Sequence, residues 1–230
     1  DTTVVAQFKA IPETLPEFVK DVEGDMYFLA WTTTPWTLPS NTALTVGKKI
    51  DYVVVSTYNQ YTFEPVNVVL AKNLLGYQFG KKFHEVSDPS ELKNYKEGDK
   101  TIPYRVIKEC KGADLLEIRY EQLLPYAKPY QGAENAFRVI AGDFVTTEDG
   151  TGIVHTAPTF GADDAQVAKM AEPEVPPMLV MDDHDNPVPL VDLQGKFTRD
   201  MGEHAGKYVK NEYYEAGQEP ERSVDVELAI

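Results

Sequence analysis

Short apolar stretches recur along the chain, separated by prolines, glycines and clusters of hydroxyl-bearing residues. Residues 2–8 alternate as a strand does, and 26–31, M-Y-F-L-A-W, is dense in aromatic and apolar side chains, which predicts a second strand. The same pattern predicts strands at 43–46, 52–57, 61–63, 66–71, 102–110, 117–120, 137–141 and 144–147. It also predicts a hairpin in which 178–181 pairs with 188–191 across D-D-H-D-N-P. Helical spacing is confined to 162–172 and 203–217, with a single turn at 72–76 and a short helix over 90–95 inside the polar excursion 87–100. Pro12 and Pro16 limit 11–20 to a turn and at most a short helix. Many short strands, punctuated by Gly112, Pro125, Pro129, Gly132, Gly142 and Gly150, predict an α+β fold that is mainly β. The expectation is a closed or semi-closed, barrel-like sheet with short peripheral helices, built as a single domain over 1–230.

Two stretches break this pattern in a way that suggests chemistry. In Trp31–Asn41, W-T-T-T-P-W-T-L-P-S-N, Pro35 and Pro39 remove backbone donors and preclude a central strand. The hydroxyls of Thr32, Thr33, Thr34 and Thr37 are therefore held on a rigid, irregular loop. They suit the hydroxyls of a ribose or a positioned water, although threonine is also simply common in strands. In Gly150–Asp164, G-T-G-I-V-H-T-A-P-T-F-G-A-D-D, Ile153 and Val154 suit a buried strand that Pro158 forbids from continuing. His155 then sits near the open end of that strand, either as a structural histidine or as part of a pocket wall. Asp163 and Asp164 open the following helix, where a carboxylate is favoured by the macrodipole and kept ionised, the state needed to hold an ammonium group.

Composition narrows the class. The chain has 230 residues, 42% of them hydrophobic, and no apolar run of membrane-spanning length or charged-then-apolar leader. One cysteine, Cys110, precludes an internal disulfide and fits a reducing, cytoplasmic compartment; no His or basic residue beside it suggests an activated thiol. A net charge of −15 repels nucleic-acid phosphates, so any RNA must be delivered by something else. The cluster Asp182, Asp183, His184, Asp185 has a metal-like composition but lacks the spacing of a calcium loop, and reads as a solvated turn. No metal and no cofactor is expected. The glycines at 150 and 152 do not form a phosphate-binding fingerprint.

Taken together, W-T-T-T-P-W-T-L-P-S-N and G-T-G-I-V-H-T-A-P-x-F-G-x-D-D resemble the editing domain of the isoleucyl-tRNA synthetase family, the connective peptide one insertion of the class I enzymes for isoleucine, valine and leucine. Thr34 and Trp36 stand where the valyl and leucyl types carry Arg and an acid, which favours the isoleucyl type. The H-I-G-H and K-M-S-K-S signatures of the aminoacylation core are absent, and with no initiator Met the chain reads as a piece of a longer synthetase. The resemblance implies a barrel-like editing fold and hydrolysis of the ester of valyl-tRNA(Ile). Its partners would be the acylated 3′ acceptor end of that tRNA and the rest of the parent enzyme. It further implies that Asp164 grips the α-ammonium and that His155 forms part of the side-chain wall. Thr32, Thr33, Thr34 and Thr37 would line the pocket and, with backbone groups, fix the terminal adenosine and attacking water, with Trp31 and Asn41 as neighbours. The alternatives are a valyl-type domain clearing threonyl-tRNA(Val) and a silent insertion that positions the acceptor end.

Overall fold

The computed structural model describes residues 3–229. The chain runs through β1 (Val4–Lys9), β2 (Met26–Thr32), β3 (Ala43–Val46), β4 (Asp51–Tyr58), β5 (Pro65–Ala71), α1 (Leu75–Gln78) and β6 (Phe83–Glu85). It continues through α2 (Pro89–Lys93), β7 (Ile102–Lys111), β8 (Arg138–Ala141), β9 (Ile153–Thr156) and α3 (Ala162–Met170). A two-residue hairpin, β10 (Val180–Met181) and β11 (Pro187–Val188), and the last helix, α4 (Val224–Ala229), complete it. The class is the one expected: mainly β, with short helices at the edges.

The strands form a six-stranded sheet in the order β1-β2-β5-β4-β7-β6 and a three-stranded sheet β8-β3-β9. Both are mixed, since β2–β5, β6–β7 and β3–β8 pair parallel and the remaining pairs are antiparallel. Among the described residues no sheet closes on itself, so the barrel expectation resolves into two open sheets packed together.

Side-chain alternation explains the packing. Phe8, Phe28, Ala30, Tyr52, Val54 and Val69 point from the large sheet into the main core, while Leu29, Val53, Val55, Val68 and Leu70 face outward under Phe79. Leu44, Val46, Val139 and Ile153 bring the small sheet into the same main core. Its other face, through Ala43 and Ile140, is covered by Val167 and Ala168 of α3. The small sheet and strands β2, β4 and β5 of the large one are thus buried on both faces, which is why they read as near-continuous apolar runs.

Tyr52 joins the two sheets. Its hydroxyl donates to the carbonyl of Gly152 at 2.6 Å and accepts from the Gly47 N–H at 3.0 Å, while the Ala71 N–H donates to the Thr151 carbonyl at 2.8 Å. Gly152 is needed at this seam: its φ is +78°, and a Cβ there would lie 2.4 Å from the Ala71 Cβ.

Several expected elements differ. Tyr61–Phe63 is not a strand but the tip of the β4–β5 hairpin, where Asn59 Oδ1 accepts the Tyr61 and Thr62 N–H groups and Phe63 has φ 63°. Residues 117–120 make only isolated bridges at Arg119 and Tyr120, because Glu117 at φ 72° breaks the extended run. Residues 144–147 form no strand; Phe144 packs from a loop against the core under α3. The helix expected over 203–217 is replaced by 3-10 turns at Arg199–His204 and Asn211–Tyr213, with Gly206 and Gly217 at φ 80° and 83°.

Candidate functional site

β2 ends at Thr32, and the chain turns at once into a 3-10 helix, Pro35–Ser40. Pro35 is tolerated because it opens that helix, where its missing N–H has no local role. The expected irregular loop is therefore a short, wound element, and Thr37 comes from its first turn. The other motif is carried by β9, which lies antiparallel to β3 with His155 opposite Leu44.

A buried hydrogen-bonded chain joins the two. Asn41 Nδ2 lies 2.9 Å from the Ala43 carbonyl, an acceptor, which fixes the orientation of the amide. The same amide group lies 2.8 Å from His155 Nδ1, so that ring nitrogen accepts. In the neutral ring the proton is then on Nε2, which donates to Thr37 Oγ1 at 2.9 Å, and Thr37 in turn donates to the Thr34 carbonyl at 2.9 Å. At the far end the buried Tyr120 hydroxyl donates to Asn41 Oδ1. Burial pushes the His155 ring down to about 4, so it is neutral near pH 7. Both ring nitrogens are engaged and the ring is not poised to take a proton.

The remaining threonines lie around this chain. Thr32 Oγ1 accepts the Thr34 N–H at 3.1 Å, and Thr34 Oγ1 lies 3.4 Å from both the Thr32 and the Thr37 hydroxyls. These long contacts leave the Thr34 hydroxyl less committed than those of Thr32 and Thr37. Thr33 is exposed and makes no side-chain hydrogen bond among the described residues. Trp31 stands to one side, half-buried, with its ring 3.4 Å from where a Cβ on Gly150 would be.

Asp164 sits in the first turn of α3 and reaches back to the end of the histidine strand, where its Oδ2 accepts the Ala157 N–H at 3.0 Å. Burial raises its carboxyl above the usual range, opposed by that N–H and helped by the neighbouring Asp163. Gly161 makes room for it, since a Cβ there would be 3.0 Å from the carboxyl carbon. Asp163 belongs elsewhere: it lines a cavity of about 520 Å³ with Lys48, Gly142, Phe144 and Val167.

Neither of the other sequence candidates gathers into a site. Asp182 Oδ1 accepts the His184 and Asn186 N–H groups, an exposed turn at the tip of the β10–β11 hairpin, and Asp183 pairs with Arg199. Burial pushes the Cys110 thiol up to about 12, an inert state. Among the described residues no group of three or more His, Cys, Asp or Glu is arranged to hold a metal, and no helix is long and apolar enough to cross a membrane. The sequence reading missed Tyr120, which holds Asn41 across 79 residues, and Asp225, whose carboxylate accepts the Trp36 N–H at 2.8 Å across 189.

No family model matches the chain. It is 56% identical to the isoleucine–tRNA ligase of Cytophaga hutchinsonii, over 93% of this chain and 18% of the ligase. It is 52% identical to that of Bacteroides fragilis, over 100% of this chain and 20% of the ligase. The chain therefore spans well under two thirds of these relatives. Among solved structures it resembles the cytosolic leucyl-tRNA synthetase editing domain of P. knowlesi, with a TM-score of 0.51 at 13% identity, over 74% of this chain and 63% of that one, a likeness of fold. The sequence relatives and the shared fold together place the chain in the isoleucine–tRNA ligase family, as a segment built on the fold of a synthetase editing domain.

Proposed function

We propose that the chain is a metal-independent hydrolase that clears valine from misacylated valyl-tRNA(Ile). The observation that carries this reading is the hydrogen-bonded chain from Tyr120 through Asn41 and His155 to Thr37, which brings the two motifs into one rigid unit beside Asp164. The need for such a unit is energetic. A missing methylene is worth only about 1–3 kcal/mol of discrimination, a general limit for which isoleucyl-tRNA synthetase is itself the usual illustration and not a value obtained from this structure.

In this reading Asp164 binds the α-ammonium of the esterified amino acid. The incoming cation also relieves the cost of keeping that half-buried carboxylate charged. His155, neutral and held at both nitrogens, is a stiff wall for the side chain and not the base for water. The hydroxyls of Thr32, Thr33, Thr34 and Thr37 orient the terminal ribose and a water molecule. Water oxygen adds to the acyl carbon, the bond from that carbon to the ribose oxygen breaks, and the ribose oxygen takes the proton that water gives up. Valine and the free tRNA end result. An aminoacyl ester is already labile, so alignment of water and carbonyl supplies most of the acceleration. The tRNA and the rest of the ligase are the partners this activity requires.

The test is deacylation of valyl-tRNA(Ile) by the intact ligase carrying this segment. Asp164→Ala is expected to abolish clearance while leaving aminoacylation in place. Undiminished clearance would remove Asp164 from the site.

A further inference from the structure

The first turn of the 3-10 helix Pro35–Ser40 poses a local problem that is solved from far away. Helix N-termini leave backbone donors without intrahelical acceptors. Here Pro35 has no N–H, the Thr37 N–H reaches the Thr34 carbonyl at 3.0 Å, and Thr34 supplies no side-chain cap. The Trp36 N–H is left over, and Asp225 Oδ1 of α4 takes it at 2.8 Å. α4 packs on this 3-10 helix, and Leu228 joins the same core as Trp36.

Trp36 is also a second point where the two motifs meet. Its ring stands edge-on to Phe160, with centroids 5.0 Å apart at 67°. Phe160 lies in the turn P-T-F-G that leads to Asp164. The indole N–H has no hydrogen-bond partner among the described residues, so Trp36 is held by its backbone bond to Asp225 and by this ring contact.

We infer that Asp225 is a specificity-determining positioning residue: by holding Trp36 it fixes the spacing between the threonine turn and the Asp164 loop, and that spacing sets which side chain the site admits. The inference rests on the editing reading above and deepens it. A pocket that separates valine from isoleucine must resist expansion by one methylene. Thr37 and His155 tie the threonine turn to the histidine strand, but on the Trp36 side the turn meets the Asp164 loop through the Phe160 ring contact, and the backbone bond to Asp225 is what keeps Trp36 from yielding there. Asp225 touches no reacting atom in this account and acts through Trp36.

The experiment compares deacylation of valyl-tRNA(Ile) and isoleucyl-tRNA(Ile) by the intact ligase, its Asp225→Ala and Asp225→Asn variants, and Phe160→Leu. Asp225→Ala is expected to lower the valyl-to-isoleucyl rate ratio roughly tenfold, the scale of one methylene in a pocket. Asp225→Asn retains an acceptor oxygen and should stay within about twofold of the parent, on the same scale. Phe160→Leu loosens Trp36 from the other side and should lower the ratio too, which keeps the test decisive if Asp225→Ala fails to fold. General destabilisation lowers both rates together and leaves the ratio unmoved. An unchanged ratio in folded Asp225→Ala, or in Phe160→Leu, overturns the inference. A parent enzyme that does not discriminate between the two esters overturns the editing reading instead, and the inference with it.

Discussion

His155 is buried and Asp164 half-buried, and their environments push their titrations in opposite directions. The His155 ring is held well below its ordinary value of 6.5, at about 4, by burial. The folded state therefore favours the neutral ring. Stability from this group is fully present above about pH 6.5 and is lost as pH falls toward 4, a span on the order of 3 kcal/mol. Urea unfolding at pH 7 and pH 4.5 is expected to show a larger acid loss in the parent than in His155→Gln, which has nothing to protonate; equal losses would contradict a buried neutral ring. Asp164 is raised by burial, so its charge is a cost to the empty fold at neutral pH, felt as pH rises through its folded value. Asp164→Asn should thus melt at a higher temperature than the parent at pH 7 while losing deacylation. A lower melting temperature would show that the Ala157 N–H bond outweighs burial.

At the scale of elements, the decisive feature is the seam where β9 begins. Gly152 combines a left-handed backbone with a contact that leaves no room for a Cβ, and its carbonyl receives the Tyr52 hydroxyl. Gly152→Ala should cost at least about 2 kcal/mol, from overpacking and backbone strain together, read as a shift in the urea midpoint. It should also weaken deacylation, because the strand so displaced carries His155. Much of this architecture was legible in the sequence. The strand at 43–46 is reproduced residue for residue, and those at 26–31 and 66–71 within a residue, because burial on both faces leaves continuous apolar runs, while the more exposed 102–110 also matches within a residue. Where apolarity served another purpose the reading failed. Phe144 is apolar because a loop residue packs under α3, and Tyr208, Tyr213 and Tyr214 cluster on one another in a segment whose glycines prevent a helix. The helix α4 was overlooked because V-D-V-E-L alternates with period two, although Ser223, whose oxygens receive the Val226 and Glu227 N–H groups, was an available start signal. The two motifs were found from prolines, hydroxyls and a strand-end histidine. Tyr120 and Asp225 were not, since nothing local marks a hydrogen bond made across 79 or 189 residues.

For the whole molecule, a net charge of −15 on 230 residues opposes binding of polyanions at long range. Under the proposed function, affinity would then come from the terminal adenosine and its amino acid, with the rest of the ligase holding the tRNA body. The two open sheets carry one turn, one strand end and one helix start, the elements that hold the two motifs, and the chain is 18–20% of the length of the ligases it matches. The most direct measurement is a titration of the chain with hydrolysis-resistant valyl- and isoleucyl-adenosine analogues, by calorimetry and by the ring signals of His155. The account predicts that the valyl analogue binds more tightly, that it perturbs the His155 signals without protonating the ring, and that this binding disappears in Asp164→Ala. Equal affinity for the two analogues, or valyl binding that survives the loss of Asp164, would contradict it.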